Sequence, residues 1–352
     1  MSVRQVAAAH ADDRSRLAIR VRAEFRRLWK LVDPRRISET WSQHIPRLLA
    51  LLTGAQRAAA STANLYVADT FAELGMASRP SGLVVPEAYA GIASDGRPLA
   101  SLIAQPAITA KVSLSTGRSI DEAMAAGQAL AEMIGHTQVT DAGRAADQAA
   151  IVVREAATGY IRMIVGPTCA RCIILAGVRY EWNAGFQRHP NCDCVHIPAA
   201  EDTPDEILTN PAKIFESMAP AEQDRVFTKA GAQAIRDGAD MNQVVNARRG
   251  ARGLAPAGAR ITAAEARLLR GGRDRGRLER TDVFGRQQFT TTEGRTVRGV
   301  AGKRLSRRGG TEKVGRFRSA RAYRLMPESI YELADGDRDE AIRLLKVHGY
   351  IL

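Results

Sequence analysis

The sequence has few aromatic residues, few cysteines and no long apolar run. Aromatic side chains make up 5% of its 352 residues, so a core must rely on Ala, Leu, Ile and Val. No stretch reaches the roughly 18 consecutive apolar residues that a membrane-spanning helix needs, so we expect no membrane partner. Residues 1–16 lack the apolar centre of a secretory signal, which predicts a protein made in a reducing cytoplasm.

Motifs of the common hydrolases and nucleotide-driven motors are also missing. The chain contains no GxxxxGK[ST] phosphate-binding loop, no GxSxG nucleophile elbow, and no HExxH or deaminase-type HxE metal motif. None of its six histidines stands in a recognisable catalytic motif. These absences exclude ATP-driven packaging at motif level, and we expect a protein that is not an enzyme.

Positive charge is concentrated in one segment. The formal net charge is +13, but residues 246–325 alone hold 22 Lys and Arg against 6 acidic residues, and the remainder sums to −3. This asymmetry predicts a polyanionic partner bound through phosphate contacts. Few aromatic residues occur there, which disfavours stacking on single-stranded bases. Alternatives are a solvated stretch or pairing with an acidic protein surface. The candidate nucleic-acid contacts are Arg248, Arg249, Arg304, Arg307 and Arg308.

Helical patterns dominate the first part of the chain. Apolar residues at spacings of three and four between Leu17 and Val32 predict a helix that ends before Pro34. A second helical run covers residues 41–74, with Gly75 as its C-terminal cap. Residues 80–117 are rich in proline and glycine and predict a turn-rich connector. Ser119 and Glu122 predict a capping box that starts a helix reaching Ile134, which Gly135 ends.

Further helices are predicted on both sides of a cysteine-containing region. One helix covers residues 140–164 and leads directly into the cysteines. Residues 203–245 are also helical, with starts at Pro211 and Pro220. Residues 284–297 have strand character because of their β-branched residues. Two short helices flank the turn residues 335–337 near the end.

These patterns predict a mainly α fold in which long helices carry a small zinc-knuckle or β-hairpin insert and a basic, partly irregular C-terminal region. We divide the chain into an N-terminal helical region (1–80), a turn-rich connector with a helix (81–139), a helix with the knuckle (140–200), a helical region (201–245), the basic segment (246–325) and a short helical tail (326–352).

All four cysteines stand in one short cluster. Cys169 and Cys172 form a CxxC turn, and Cys192 and Cys194 form a CxC turn preceded by His189. Thiolates and imidazoles at this spacing predict one structural zinc ion per chain, because zinc takes four such ligands in a tetrahedron. A closed set of four leaves no open position, which argues against a catalytic zinc.

The cluster contains more candidate ligands than the four coordination positions of a zinc ion. The first pair and Cys194 are the safest ligands, and either His189 or Cys192 completes the set. We favour His189 slightly, because its spacing to Cys194 is more relaxed than that of a CxC pair. His196 is expected to lie behind the ligands or to be exposed. Disulfides in an oxidising compartment, free thiols and a redox-active CxxC remain alternatives.

The order CxxC, a short glycine-containing hairpin and HPxCxC resembles the Mu F-type minor head proteins of tailed bacteriophages, also called head morphogenesis proteins. The resemblance covers about residues 140–198. Family members often carry Asp-Gly shortly after the CxxC, where this chain has Ala176-Gly177. The residues that carry the resemblance are Cys169, Cys172, His189, Pro190, Asn191, Cys192 and Cys194.

The resemblance implies a minor virion component that is made in the host cytoplasm. Its implied place is the portal vertex or the head interior, where its partners are the portal protein, the major capsid protein or both. Packaged duplex DNA is then the polyanion for the basic segment. Two other functions remain open on the sequence: a non-specific nucleic-acid-binding zinc protein and, less favoured, a head-maturation hydrolase.

Overall fold

A computed structural model describes residues 1–76, 78–166, 168–185, 192, 194–200, 209–252, 281–283 and 286–352. The chain divides into two compact units, one formed by Met1–Thr168 with Leu175–Pro211 and the other by Cys169–Ile174 with Ala212–Leu352. The predicted mainly α class is confirmed, since long helices carry most of the described residues and the sheets are small. None of the described helices is both long and apolar enough to cross a membrane.

The first unit is a helical bundle with one small sheet. Its helices are α1 (Val3–Trp29), α2 (Ile37–Ser42), α3 (Ile45–Ser61), α4 (Ala63–Glu73), α5 (Leu99–Ile103), α6 (Gln105–Ser115) and α7 (Ile120–Val152). Its strands are β1 (Gly159–Met163), β2 (Arg179–Glu181) and β3 (Val195–Ala199). Helix α8 (Ala170–Ile173) lies between β1 and β2 along the chain but belongs to the second unit.

Helix α7 organises this unit, because α1, α3, α4 and α6 all pack against it. Its start is as predicted: the Ser119 hydroxyl accepts a hydrogen bond from the amide of Glu122 (3.2 Å), and the Glu122 carboxylate accepts one from the amide of Ser119 (3.0 Å). The reciprocal bonds satisfy two amides that no helical carbonyl can reach. The core between the helices holds the edge-to-face pair Trp29 and Trp41, whose ring centroids lie 5.0 Å apart.

The prediction that Gly135 ends this helix is wrong. Helix α7 runs unbroken through Gly127, Gly135 and Gly143, and each of the three faces α1. A Cβ atom would lie 2.1 Å from the Trp29 ring at the first of them, 3.0 Å from the Phe25 ring at the second and 2.7 Å from the Arg14 side chain at the third. These glycines therefore serve close helix packing, which a single sequence cannot distinguish from a helix stop.

The prediction of a helix over residues 140–164 is also wrong beyond Val152. Residues 159–163 form the central strand of an antiparallel sheet in the order β2-β1-β3, and all five are buried. Gly159 permits close approach of the neighbouring strand, since a Cβ there would lie 2.1 Å from the carbonyl oxygen of Tyr180. The small β insert is thus present, but its central strand precedes the CxxC.

The second unit consists of shorter elements. Its helices are α9 (Pro211–Ser217), α10 (Pro220–Phe227), α11 (Lys229–Arg236), α12 (Met241–Ala247), α13 (Val300–Gly309), α14 (Pro327–Ala334) and α15 (Arg338–Val347). Its strands are β4 (Ala251–Arg252), β5 (Thr281–Val283), β6 (Arg286–Gln288), β7 (Thr290–Thr291), β8 (Thr311–Val314), β9 (Phe317–Ala320) and β10 (Arg324–Leu325).

Several local predictions for this unit are confirmed. Helices α9 and α10 begin at Pro211 and Pro220, strands β6 and β7 fall within residues 284–297, and two helices flank residues 335–337. The strands pair as β10-β7-β4, β5-β6 and β8-β9, all antiparallel. Parts of the basic segment, residues 253–280, 284 and 285, lie outside the described residues.

A buried arginine holds the end of the chain in this unit. Arg324 is 1% exposed and donates hydrogen bonds to the carbonyl oxygens of His348 (2.8 Å) and Glu293 (3.0 Å). Its guanidinium lies 4.3 Å from the centroid of the Tyr350 ring. Arg324 belongs to the basic segment by sequence, yet its charge is enclosed in the core and is not available to a partner.

Candidate metal centre

Three of the four cysteines come together in the structure. The Sγ atoms of Cys172, Cys192 and Cys194 all lie within 4.8 Å of one another, and each of these residues is 1% exposed. A tetrahedral ion with Zn–S bonds of about 2.3 Å sets its sulfurs about 3.8 Å apart, so the observed spacing suits a single ion. None of the four cysteines forms a disulfide. The cluster could therefore hold a metal ion.

The other residues considered for the zinc site from the sequence do not belong to this three-thiol cluster. Cys169 is the N-cap residue of α8; it is exposed and does not belong to the three-thiol cluster. His189 lies outside the described residues, so the structure does not test it against Cys192 as a ligand. His196 is buried on β3 at 3% exposure, where desolvation lowers its pKa to about 3 and keeps the ring neutral. Of the two alternatives predicted for His196, exposure is thus wrong, and a position behind the ligands stays a prediction.

Two buried arginines stand beside the CxC turn. Arg144 on α7 donates hydrogen bonds to the carbonyl oxygens of Cys192 and Cys194, and a second nitrogen of its guanidinium donates to the Asp141 carboxylate (2.8 Å). Arg162 on β1 is fully buried, and its Nη2 atom lies 3.7 Å from the Cys192 sulfur. Positive charge at this distance favours a thiolate over a thiol.

These arginines strengthen the fit to a divalent ion. Three thiolates around such an ion carry a net negative charge, and burying that charge is costly unless a cation lies close by. Arg162 supplies that cation, and Arg144 fixes the backbone that carries the two sulfurs. Sequence reasoning missed both residues. The available signal was a charged residue at the centre of the apolar run that became β1.

A second buried polar network connects α1, α4, α7 and β3. His10 Nε2 and Arg14 Nη1, one turn apart on α1, contact the fully buried Asp147 carboxylate at 3.0 and 2.6 Å. Burial alone would raise the pKa of Asp147, but the charges of His10 and Arg14 lower it to about 2. The Tyr66 ring stacks on His10 at 4.0 Å, and its hydroxyl donates to the carbonyl oxygen of His196 (2.5 Å).

Three residues of this network, His10, Arg14 and Tyr66, line a cleft of about 710 Å³ between α1, α3 and α4. The walls are mainly apolar, and the rim carries charges of both signs, among them Asp13, Arg16 and Asp69. The network ties the first helix to the strand that follows Cys194. Sequence reasoning missed it, because His10 and Asp147 are 137 positions apart and follow no motif.

The five arginines predicted to contact nucleic acid differ in their exposure and in their hydrogen bonds. Arg248 donates hydrogen bonds to Glu328 and to the Thr228 hydroxyl, and Arg304 donates to the carbonyl oxygens of Lys346 and Ile351. Those two guanidinium groups hold the second unit together. Three of the candidates, by contrast, are exposed, namely Arg249, Arg307 and Arg308.

Comparison with known proteins identifies a family. A family model described as VG15 protein matches residues 1–221, well over half of the chain. No curated protein and no solved structure matches the chain. The matched range contains the whole helical bundle, the small sheet and all four cysteines. The chain therefore belongs to the VG15 protein family, a family of viral (phage) gene products.

Proposed function

We propose that this protein is a structural, non-enzymatic minor head protein of a tailed phage, of the head morphogenesis type. The observation that carries the proposal is the cluster of three buried thiols, contributed by the CxxC and CxC turns of a Mu F-type motif. Membership of a phage protein family supports it independently. The expected location is the virion, at the portal vertex or in the head interior, and the expected partners are the portal protein, the major capsid protein or both.

Within this proposal, zinc is the metal. Cys172, Cys192 and Cys194 would supply three ligands, and His189 or Cys169 would supply the fourth. When bound, the ion contributes a covalent-like crosslink between two turns and no reaction chemistry. Arg144 orients the carbonyl groups of the CxC turn, and Arg162 balances the thiolate charge. The contribution of the centre to head assembly is then geometric.

The role is tested in the phage itself. Deleting the gene should leave phage protein synthesis and DNA replication intact and lower the yield of infectious particles. Mass spectrometry of purified virions should detect the protein at low copy number. Absence of the protein from virions would contradict the proposal. So would a polar residue outside the cluster whose alanine variant folds, enters the virion and is as defective as a Cys172 variant, because that result would favour a hydrolase.

The charge of the second unit favours one alternative, a non-specific nucleic-acid-binding zinc protein that acts in the cytoplasm. The two functions differ in location. A portal-associated protein sediments with heads, whereas the alternative stays in the soluble fraction of infected cells and binds nucleic acid there.

A further inference from the structure

A short hairpin in the second unit has an unusual surface. Strands β8 and β9 pair in register, from Thr311 opposite Ala320 to Val314 opposite Phe317. We call residues 311–320 the basic hairpin. Its base is anchored by the buried residues Ser319 and Ala320, whereas residues 313–318 at its far end are all exposed. Residues 295–297 pair with β9 as far as Arg318, whose carbonyl oxygen accepts a hydrogen bond from the Val297 amide (3.0 Å). The two-stranded part that projects beyond this pairing is the tip, Val314–Phe317.

The exposed end carries positive charge and no negative charge. Lys313 and Arg318 lie directly opposite each other, an arrangement of like charges that destabilises a strand pair. Arg316 adds a third cation at the turn. The nearest acidic residue in the hairpin, Glu312, is already paired with Arg295 at 2.7 Å. Such uncompensated charge costs stability in the isolated protein and suits an anionic partner.

Helix α13 extends the positive surface. β9 packs against this helix, and a Cβ at Gly309 would lie 3.0 Å from Ala322, which follows the hairpin. The buried side of the helix holds Ala301, Gly302 and Leu305. Its exposed cations are Lys303, Arg307 and Arg308, and the structure gives none of these three an ion-pair partner among the described residues.

The tip of the hairpin is apolar as well as basic. Val314 and Phe317 form a cross-strand pair, yet they are 54% and 42% exposed. The turn between them has Gly315 at φ +58°, a backbone conformation that glycine adopts without strain. The Arg316 guanidinium lies 5.1 Å from the centroid of the Phe317 ring. An apolar pair held at the end of a ribbon by a glycine turn is suited to contact with a partner.

We propose that the basic hairpin inserts into a groove of duplex DNA, with Lys313 and Arg318 on phosphates and with Val314 and Phe317 as an apolar wedge against the bases. β-ribbons dock in the minor as well as the major groove of DNA, and proteins bound in the minor groove insert apolar wedges between base steps without reading the sequence. Single strands are disfavoured, since binding them needs several aromatic platforms and the ribbon has one. The inference depends on the proposed function only for the source of the DNA.

The electrostatic half of the proposal is tested with the full-length protein and a 25-base-pair duplex of arbitrary sequence, by fluorescence anisotropy over a range of salt. Lys313→Gln/Arg318→Gln should weaken binding at least about tenfold at low salt and lower the log–log salt slope by about 1.8, since each phosphate contact contributes about 0.9. The matched control is Arg16→Gln/Arg20→Gln, which removes the same charge from exposed positions on α1. The control should retain the wild-type slope.

The apolar half is tested with Phe317→Ala. It should weaken binding about tenfold without changing the salt slope, because no charge is removed. Lys313→Arg/Arg318→Lys keeps both charges and should bind like the wild type, unlike the double Gln variant. Thermal unfolding should show that every variant is folded. The proposal is overturned if the wild type does not bind duplex DNA, if it prefers single strands, RNA or an acidic protein, or if the α1 control loses as much affinity as the hairpin variant. None of these results would affect the zinc content or virion incorporation on which the proposed function depends.

Discussion

The buried arginines of the first unit and the basic hairpin of the second use positive charge in opposite ways. In the first unit, Arg14 and Arg144 are buried and each contacts a buried carboxylate, Asp147 and Asp141 respectively. In the second unit, the basic hairpin places its cations in solvent with no acidic neighbour at its exposed end. Buried pairs fix how helices fit together, whereas the exposed charge of the hairpin is what the proposed contact with DNA would use. Net charge alone does not separate these roles.

The family match follows the same division. It ends at residue 221, so it contains the helical bundle and the cysteines and leaves out nearly all of the second unit. The resemblance to head morphogenesis proteins likewise stops near residue 198. The shared part is thus the part with the metal cluster and the buried ion pairs. The exposed positive charge of the basic hairpin lies beyond residue 221, so the family match does not account for it.

The largest effect is expected at the metal cluster. Cys172→Ser should abolish zinc binding and unfold the segment from Cys169 to His196, since structural zinc contributes on the order of 10 kcal/mol to the folding of small sites. Metal analysis of the purified protein should give about one zinc per wild-type chain, and hydrogen exchange should locate the loss of protection.

Cys169→Ser and His189→Ala, examined separately, identify the fourth ligand. The true ligand should behave like Cys172 when it is replaced, and the other residue should leave the zinc content unchanged. A wild-type protein that contains no zinc and whose mass shows two disulfides would contradict the metal centre altogether.

The next largest effect concerns the buried carboxylate of the first unit. Asp147→Asn should lower the free energy of unfolding by about 3–5 kcal/mol, because it leaves Arg14 buried without its counter-charge. The matched control is Asp13→Asn on the exposed side of α1, which should change stability by less than about 0.5 kcal/mol. Urea unfolding measures both. Equal effects of the two substitutions would remove the distinction between buried and exposed charge in this unit.

Acid provides a second measurement of the same carboxylate. Its folded-state pKa of about 2 lies below the usual unfolded value of about 3.9, so its stabilising contribution is complete above pH 4 and is lost as pH falls toward 2. The wild type should therefore lose stability over that interval more steeply than Asp147→Asn. Parallel curves for the two proteins would show that the carboxylate is not paired in solution.

A third prediction compares two arginines of the second unit. Arg324→Lys should destabilise the protein by about 2–3 kcal/mol, because one ammonium cannot reach all the carbonyl groups that the buried guanidinium bonds. Arg307→Lys on the exposed side of α13 should be neutral in stability and in DNA binding. Thermal unfolding of the two variants measures the difference. An equally harmless Arg324→Lys would mean that the buried arginine does not organise the unit's C-terminal end.

Local signals predicted much of the helical fold and part of the site. Capping residues and prolines identified the starts of α7, α9 and α10, because these signals act within one helical turn. The CxxC and CxC turns pointed to the thiol cluster for the same reason. Long-range contacts were missed: Arg162 beside Cys192, and His10 beside Asp147, come together only through tertiary packing. Gly135 of α7 was misread as a helix end, because the reason for this glycine lies on another helix.

The smallest predicted effect tests whether contact with α1 explains the glycines of α7. Gly127→Ala improves intrinsic helix propensity by about 1 kcal/mol, but its Cβ would lie 2.1 Å from the buried Trp29 ring. The clash should outweigh the gain and leave a net loss of about 1–2 kcal/mol. Gly54→Ala in α3 is the matched control, since nothing lies within 4 Å of its Cβ position, and it should stabilise the protein by about 0.5–1 kcal/mol. Opposite signs for the same substitution in two helices of one unit would establish that helix contact, not backbone flexibility, determines where α7 carries glycine. A stabilising Gly127→Ala would show that α1 and α7 are not packed this closely.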